Sequence, residues 1–205
     1  MQATLRQALG ANGSTHVFTQ RSTHVVLRLC IPCILWSNEK AMDIFQFLSD
    51  HNIIYERYDH PPVFTCEEAT RLCPPMPKHA IKTKNLFLRD KKGKRHFLLT
   101  VEEHKRVDVK ALESLFNVTK LSFASPQRLE KYLGVTPGSV TILGVLNDND
   151  HDVEVIVDRE VWEAEAVCCH PLINTSTLVI AQDMLAKIFH LTGHDVQVLD
   201  IPVKG

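Results

Sequence analysis

The chain has 205 residues, of which 44% are hydrophobic and 23% are charged. This length and composition predict one soluble globular domain with a sizeable core and at most a short appendage. The formal net charge is only −1, which excludes an all-over polycation. A phosphate-bearing partner would therefore have to bind at a local basic cluster.

Residues 1–41 differ in composition from the rest of the chain, because they hold four basic residues against a single acid. Three interpretations are open: an organellar transit peptide, a structured arm, or an upstream extension with Met42 as the functional start, which we prefer. The apolar run 24–36 is too short for a membrane span and contains Arg28. We expect a functional domain at 42–205, no membrane association and a cytoplasmic location, with organellar targeting by the leader left open.

The hydrophobic spacing of the domain predicts short helices and strands. The predicted helices lie at 42–51, 65–72, 108–116, 126–133 and 181–191. The predicted strands lie at 54–58, 120–124, 175–180 and 196–201, with hairpins formed by 82–101 and by 139–146 with 153–158, and a helical turn followed by a strand within 161–169. Hairpin links without regular strand–helix–strand alternation predict an α+β fold, with a mostly antiparallel mixed sheet or partial barrel flanked by short helices.

The first predicted hairpin carries most of the clustered positive charge. From Lys78 to Arg95 there are eight lysines or arginines and one acid, Asp90. The turn of this hairpin is predicted at Lys92-Gly93. A basic strand pair on an otherwise acidic body indicates a phosphate-bearing partner that binds at one place.

The sequence offers little support for a metal site. The acidic run 148–152 imitates the start of a calcium loop, but Val153 replaces the required glycine and Arg159 the required glutamate. His190 and His194 are four residues apart, but a glycine between them should break the helix that would align them. We therefore expect no metal and no cofactor.

The six cysteines are interpreted as structural residues of a protein in a reducing compartment. Cys30 and Cys33 have C-x-x-C spacing, but neither the strand–helix context of a redox pair nor a second ligand pair for zinc is visible. Adjacent Cys168 and Cys169 should point to opposite faces of a strand.

Two polar residues attract attention before any resemblance is considered. Lys84 lies on a strand whose alternate residues Leu86 and Leu88 should face inward, which would place its ammonium at the edge of an enclosed cavity. Such a lysine is costly unless it meets an anion or a polar ligand. A solvated Lys84 at a twisted strand start is equally compatible with the spacing, and His170 is compatible with a core histidine bonded to backbone.

Three segments together carry a family resemblance: TKNLFLRD at 83–90, PGSVT at 137–141 and HPLINTSTL at 170–178. In this order they resemble the YbaK-type aminoacyl-tRNA editing domains, in particular the freestanding relatives of the prolyl-tRNA synthetase editing insertion. The segments HPPVFT at 60–65 and TGHD at 192–195 are also similar to that branch. The resemblance covers about 42–203 and leaves out the leader.

The resemblance implies a deacylase that hydrolyses the ester of a mischarged tRNA, typically alanyl-tRNA(Pro), without a metal. It implies a catalytic part for Lys84 and His170. The residues expected to form the substrate pocket are Asn85, Gly138, Ser139 and Asn174. The residues expected to bind the tRNA are Lys82, Lys91, Lys92, Lys94 and Arg95. The expected partners are the acceptor end of mischarged tRNA(Pro) and, less directly, prolyl-tRNA synthetase.

One departure from the family pattern leaves the substrate open. Ile142 stands where the family's G-x-x-x-P loop has its proline, so cysteine or another small residue is an alternative to alanine. Two further alternatives are a non-catalytic tRNA-binding or synthetase-binding module and a hydrolase of small esters or amides.

Overall fold

A mixed sheet of eight strands forms the centre of the computed structural model, which describes residues 43–63, 68 and 71–205. The strands are β1 Tyr55–Asp59, β2 Ala80–Asp90, β3 His96–Glu102, β4 Leu121–Phe123, β5 Val153–Asp158, β6 Ala166–Cys169, β7 Ser176–Ala181 and β8 Val196–Leu199. The helices are α1 Ile44–Asp50, α2 Val109–Leu115, α3 Pro126–Leu133, α4 Arg159–Trp162 and α5 Gln182–Thr192, with a 3₁₀ helix at Ile142–Asn147. No helix in these ranges is long and apolar enough to cross a membrane.

Several predictions fall outside the described residues. They concern the leader 1–41, the Cys30–Cys33 pair and most of the helix predicted at 65–72, of which only 68, 71 and 72 are described and helical. The remaining predicted helices are present, and local signals explain their ends. Asp108 caps α2 by accepting hydrogen bonds from the backbone N–H groups of Lys110 and Ala111.

The strand order is β1-β7-β6-β2-β3-β5-β8, with β4 also paired to β2. Four pairings are antiparallel (β1 with β7, β6 with β7, β2 with β3, β2 with β4). Three are parallel (β2 with β6, β3 with β5, β5 with β8). The predicted α+β class with a mostly antiparallel mixed sheet is confirmed.

The second predicted hairpin is wrong. The segment Ile142–Asn147 is a 3₁₀ helix, and β5 runs parallel to both of its neighbours. The helix packs so closely on α3 that a Cβ on Gly144 would lie 3.1 Å from the Cβ of Leu133. A continuous apolar run does not distinguish a buried strand from a buried helix, which explains the error.

The hairpin β2–β3 separates two hydrophobic cores. Leu88 and Phe97 face a core that includes Leu112 of α2, whereas Phe87 and Leu98 face the larger core built with α1, α3 and α5. Each such side chain stabilises the fold by about 1.5–3 kcal/mol when it is fully buried. The strand pair that carries the first family motif is therefore held from both faces.

The acidic run 148–152 uses its first carboxylate to fix the loop before β5. Asp148 accepts hydrogen bonds from the backbone N–H groups of Asp152 and Val153, and its Oδ2 lies 3.2 Å from Nε2 of His194. Burial raises the pKa of Asp148, but the hydrogen bonds from His194, Val153 and Asp152 outweigh it and hold the pKa below its usual value.

Candidate functional site

The candidate site lies where β2 exchanges one neighbour for another. One edge of β2 pairs with β3 through Thr83–Arg89, while the other edge pairs first with β6, through Ala80–Lys82, and then with β4, through Leu88–Asp90. Between these two partners a cavity of about 60 Å³ opens beside β2. Its lining residues are Cys73, Met76, Lys82, Thr83, Asn85, Glu103, Cys168, Cys169, His170 and Thr177.

The end of β6 forms one wall of the cavity. The hydroxyl of Thr83 donates to the carbonyl oxygen of Cys168 at 2.8 Å and joins this wall to β2. Cys168 and Cys169 pack into different cores, as the sequence predicted for adjacent residues of a strand. Burial raises the pKa of Cys168 to about 12 and that of Cys169 further, so both thiols stay protonated at neutral pH and are poor nucleophiles.

His170 directly follows β6 and lines the cavity. Its Nδ1 lies 2.9 Å from the carbonyl oxygen of Ser176. A carbonyl only accepts, so this geometry assigns the proton to Nδ1 and leaves a lone pair on Nε2. Burial lowers the pKa of His170 against the effect of the Ser176 hydrogen bond, and His60 lowers it further. The imidazole is therefore neutral at pH 7.

His60 is the second histidine of the site, with its ring 6.0 Å from that of His170 in an edge-on arrangement. Its Nδ1 is 2.9 Å from the carbonyl oxygen of Pro61, and its Nε2 is 3.0 Å from the hydroxyl of Thr177. By the same reasoning Nδ1 donates to the carbonyl, and Thr177 donates its hydroxyl proton to Nε2. His60 is thus a buried, fully bonded support beside His170.

Asn85 connects the first family motif to the second. Its Oδ1 accepts from the hydroxyl of Thr100 at 2.7 Å, and its Nδ2 donates to the carbonyl oxygen of Val140 at 3.3 Å. Gly138 adopts a left-handed φ of 91° in the turn that precedes Val140, which favours glycine there. Neither Gly138 nor Ser139 is among the described residues that line the cavity.

Asn174 and Ile142 lie away from the cavity lining. Asn174 donates from Nδ2 to the carbonyl oxygen of Val63 at 3.2 Å, and its own carbonyl accepts from the Val63 N–H at 3.2 Å. It therefore holds the loop after His170 against the segment that follows β1. Ile142, in the family's proline position, is fully buried at the start of the 3₁₀ helix.

Two lysines of β2 meet Glu103 in different ways. Lys84 is half-buried and donates from Nζ to the carbonyl oxygen of Glu103 at 2.8 Å, although it does not itself line the cavity. Lys82 lines the cavity, and its Nζ lies 3.7 Å from Oε1 of Glu103. The ammonium of Lys84 is thus at the edge of the site, whereas Lys82, which we expected to bind tRNA, faces into it.

The tip of the basic hairpin is exposed at Lys91, Lys92 and Lys94. Lys91 directly follows the end of β2 and is seven residues beyond Lys84, so the two are at most about 24 Å apart. Arg95 is instead bonded to other groups of the protein. Its guanidinium binds Glu154 through Nε at 2.6 Å and Nη2 at 2.8 Å, and Nη1 donates to the carbonyl oxygen of Phe116 at 2.9 Å.

Arg128 of α3 fixes the turn of this hairpin. Its Nη1 donates to the carbonyl oxygen of Gly93 at 3.2 Å and to Nε2 of His96 at 2.5 Å. His96 is 2% exposed, with its ring centroid 4.1 Å from that of Tyr132. Burial lowers the pKa of His96, and Arg128 lowers it further, so the imidazole accepts this bond as a neutral ring.

One group of potential metal ligands occurs in the described residues. The ligand atoms of Glu102, Glu103 and His104 lie within 4.8 Å of one another. The imidazole of His104 is 73% exposed, and Glu103 is shared between it and Lys82. The arrangement is typical of a surface ion-pair cluster.

Sequence reasoning missed the roles of several lining residues, notably Glu103, Thr177 and the neighbouring His60. The HPPVFT segment at 60–65 drew attention to His60 as part of the family resemblance, but it did not indicate that His60 lies beside His170. Thr177 pairs with His60 across 117 residues, so no local spacing could connect them.

Comparison with known proteins identifies the family. The model of the aminoacyl-tRNA editing domain matches residues 60–188. The prolyl-tRNA editing protein ProX of Acetoanaerobium sticklandii is 37% identical over 154 residues, which are 75% of this chain and 93% of that protein. Prolyl-tRNA synthetase associated domain-containing protein 1 of Danio rerio is 32% identical over 161 residues, 77% of this chain and 85% of that protein.

Solved structures share the fold at lower identity. The crystal structure of a candidate trans-editing enzyme for prolyl tRNA synthetase superimposes with a TM-score of 0.57 at 17% identity, and the match covers 79% of this chain and 96% of the other. The hypothetical protein APE2540 gives 0.58 at 16% identity, covering 77% and 97%. These likenesses support the α+β architecture independently of the sequence relatives.

Proposed function

Since the chain belongs to the aminoacyl-tRNA editing family, and so to the aminoacyl-tRNA deacylases, we propose that it hydrolyses mischarged alanyl-tRNA(Pro) in trans, without a metal ion. The observation that carries this proposal is that residues of the first and third motifs line one cavity, while the second motif is hydrogen-bonded to one of these lining residues. Thr83 and Asn85 come from the first motif, Val140 of the second bonds to Asn85, and His170 comes from the third.

We assign to His170 the role of the general base that activates the attacking water. Its neutral Nε2 has no hydrogen-bond partner among the described residues and can accept a proton, while Nδ1 is held by Ser176. Water would attack the ester carbonyl as its proton passes to Nε2, and that proton would then go to the departing ribose oxygen. General base catalysis of this kind contributes about 10²–10⁴-fold.

The two lysines of β2 are assigned complementary parts. Lys82 lines the cavity and is placed to stabilise the oxyanion that develops on the ester carbonyl. Lys84 lies at the rim, where its ammonium donates to the carbonyl oxygen of Glu103. We assign to it the binding of the terminal adenosine of the tRNA. Because an aminoacyl ester is already activated, positioning and charge stabilisation of this kind are sufficient for hydrolysis.

The size of the cavity supports a small aminoacyl group. A bound water needs about 10–15 Å³ of such volume, so the 60 Å³ present hold only a few non-hydrogen atoms. A second, size-excluding site has a physical purpose, because a synthetase pocket rejects a smaller apolar side chain by only ~1–3 kcal/mol. We propose that this site accepts alanine and excludes the cognate proline ring.

The exposed hairpin tip is assigned to the tRNA phosphates. The tip lies at most about 24 Å from Lys84 along the hairpin, so it can reach phosphates beyond the 3′ end that the cavity would hold. Lys91, Lys92 and Lys94 would therefore contact the acceptor stem while the 3′ end occupies the cavity. Prolyl-tRNA synthetase, which supplies mischarged tRNA(Pro), is the proposed functional partner.

A panel of misacylated tRNAs tests the proposal. The purified 205-residue chain is mixed with alanyl-, cysteinyl-, seryl- and prolyl-tRNA(Pro), and loss of each ester is followed. We expect the alanyl ester to be hydrolysed fastest and the prolyl ester to survive. Faster hydrolysis of the cysteinyl ester would favour the alternative raised by Ile142.

Two other results would reject the proposal more broadly. Tight tRNA binding without hydrolysis of any ester would indicate a binding module. Equal activity on an alanyl ester that lacks the tRNA body would indicate a hydrolase of small molecules.

A further inference from the structure

An exposed aromatic side chain stands at the border of the gap in which the cavity opens. Phe123 is 63% exposed and is the only exposed phenylalanine, tyrosine or tryptophan among the described residues. It lies in β4, directly opposite Leu88 of β2. Leu121, two residues earlier on the same face of β4, is 5% exposed and belongs to the same core as Leu88. The core therefore takes in Leu121 but leaves the ring of Phe123 in contact with solvent.

The register of β2 puts Phe123 on the same face of the sheet as Lys84. Directly opposed residues of antiparallel strands project to the same face, and so do residues two and four apart along one strand. The pairing of β2 with β3 is continuous over Thr83–Arg89, so the alternation is unbroken between Lys84 and Leu88. These two residues are about 13 Å apart along the strand. Phe123 therefore lies beside β2, between the cavity rim and the basic hairpin tip.

The charge around Phe123 is positive. The segment 117–128, which contains β4, has Lys120 and Arg128 and no acidic residue. Lys120 is exposed, as are the three lysines of the neighbouring hairpin tip. A flat apolar ring among positive charges matches a single-stranded nucleic acid, whose bases stack on aromatic side chains while its phosphates bind cations. An apolar protein partner would match the ring but not the charge around it.

Phe123 lies on the path that the proposed function gives to the unpaired 3′ end of the tRNA. With the terminal adenosine at Lys84 and the acceptor stem at the hairpin tip, the unpaired nucleotides between them pass beside β4. We propose that Phe123 stacks on the base of one of these nucleotides, which precede the terminal adenosine. The inference rests on the proposed deacylase function and adds to it a binding site for the 3′ strand. Stacking at this point directs the terminal ester toward the cavity.

The test measures the binding of uncharged tRNA(Pro), which requires no catalysis. Intact tRNA is compared with versions in which one of the unpaired nucleotides before the terminal adenosine lacks its base. Stacking of one base contributes ~1–3 kcal/mol, which is about 5- to 140-fold in Kd. We expect one abasic tRNA to bind the wild-type protein more weakly by such a factor. Phe123→Ala should bind the intact tRNA equally weakly, and removal of that base should then have no further effect.

Two further variants serve as controls. Phe123→Trp should keep the wild-type affinity, and its added fluorescence should be quenched when the intact tRNA binds. Ile54→Ala should bind every tRNA like the wild-type protein. Ile54 is an apolar residue that is 74% exposed next to β1, which is a terminal strand of the sheet and not a neighbour of β2.

Each outcome separates this inference from the proposed function. Equal binding of the intact and abasic tRNAs by the wild-type protein would overturn the stacking role, and this measurement requires no variant. A Phe123→Ala protein that loses the same affinity for the intact and abasic tRNAs would overturn it too, because the ring would then contact something other than the base. Wild-type tRNA affinity in Phe123→Ala, with weaker binding to prolyl-tRNA synthetase, would show a protein contact instead. Base-dependent binding without hydrolysis of any aminoacyl ester would keep the stacking role and reject the deacylase proposal.

Discussion

Replacing Lys84 with alanine should strongly lower the rate of deacylation and leave the fold intact. The side chain is half-buried, and its observed hydrogen bond is to the carbonyl oxygen of Glu103 at 2.8 Å. Loss of a hydrogen bond to a charged group costs about 1.5–3 kcal/mol. This is less than the free energy of unfolding of a typical domain, which is roughly 5–15 kcal/mol. Loss of the charge that positions the terminal adenosine should lower kcat/KM by about 10²-fold.

The assay is single-turnover hydrolysis of alanyl-tRNA(Pro), with a thermal unfolding curve measured on the same sample. Lys110→Ala is the matched control, because Lys110 is an exposed lysine on α2, away from the site. A folded Lys84→Ala protein that turns over at the wild-type rate would refute the part assigned to Lys84. A variant that does not fold would show that the bond to Glu103 stabilises the domain more than we have estimated.

Two further predictions concern the tRNA and the general base. Changing Lys91, Lys92 and Lys94 together to glutamine should raise the KM for tRNA more than it lowers kcat. The slope of the logarithm of the binding constant against the logarithm of the salt concentration should become shallower by about 0.9 for each phosphate contact that is lost. An unchanged KM at physiological salt, compared with Lys110→Gln, would remove the hairpin from tRNA binding. For His170, the lowered pKa means that the neutral base dominates at and above pH 6.5, and activity is lost as the pH falls through that lowered pKa. His170→Asn should lower kcat by about 10²–10⁴-fold and lose this acidic limb, so an unchanged pH profile in a folded variant would contradict its role as the base.

Helix positions could be predicted because their signals are local. Asp108 accepts hydrogen bonds from N–H groups two and three residues ahead, and Gly134 ends α3 with a φ of 63°. These interactions belong to the segments themselves and need no distant partner. The run Ile142–Asn147 also has a local cap, since Thr141 accepts from the N–H of Leu143 at 3.3 Å, but its continuous apolar residues fit a buried strand equally well.

The site was predictable in part. The family resemblance placed Asn85 and His170 together, and both line the cavity. Strand alternation predicted the Lys84 ammonium at the edge of a cavity, and it lies at the rim beside Glu103, but the alternation did not predict that Lys82, two residues earlier, would line the cavity. On one edge β2 leaves β6 after Lys82 and pairs with β4 only from Leu88, and this change of partner has no sign in the alternation of residues.

The amino-acid sequence by itself determined the helices with their caps, the basic hairpin and the membership in the editing family, because each depends on neighbouring residues or on ordered motifs. Only the tertiary structure decided which charged groups pair with distant residues and which line the cavity. Arg95 is committed to Glu154 across 59 residues, and Glu103 reaches the cavity through the register of β2 with β3. Such pairings follow from the packing of distant segments, where burial makes an unpaired charge costly.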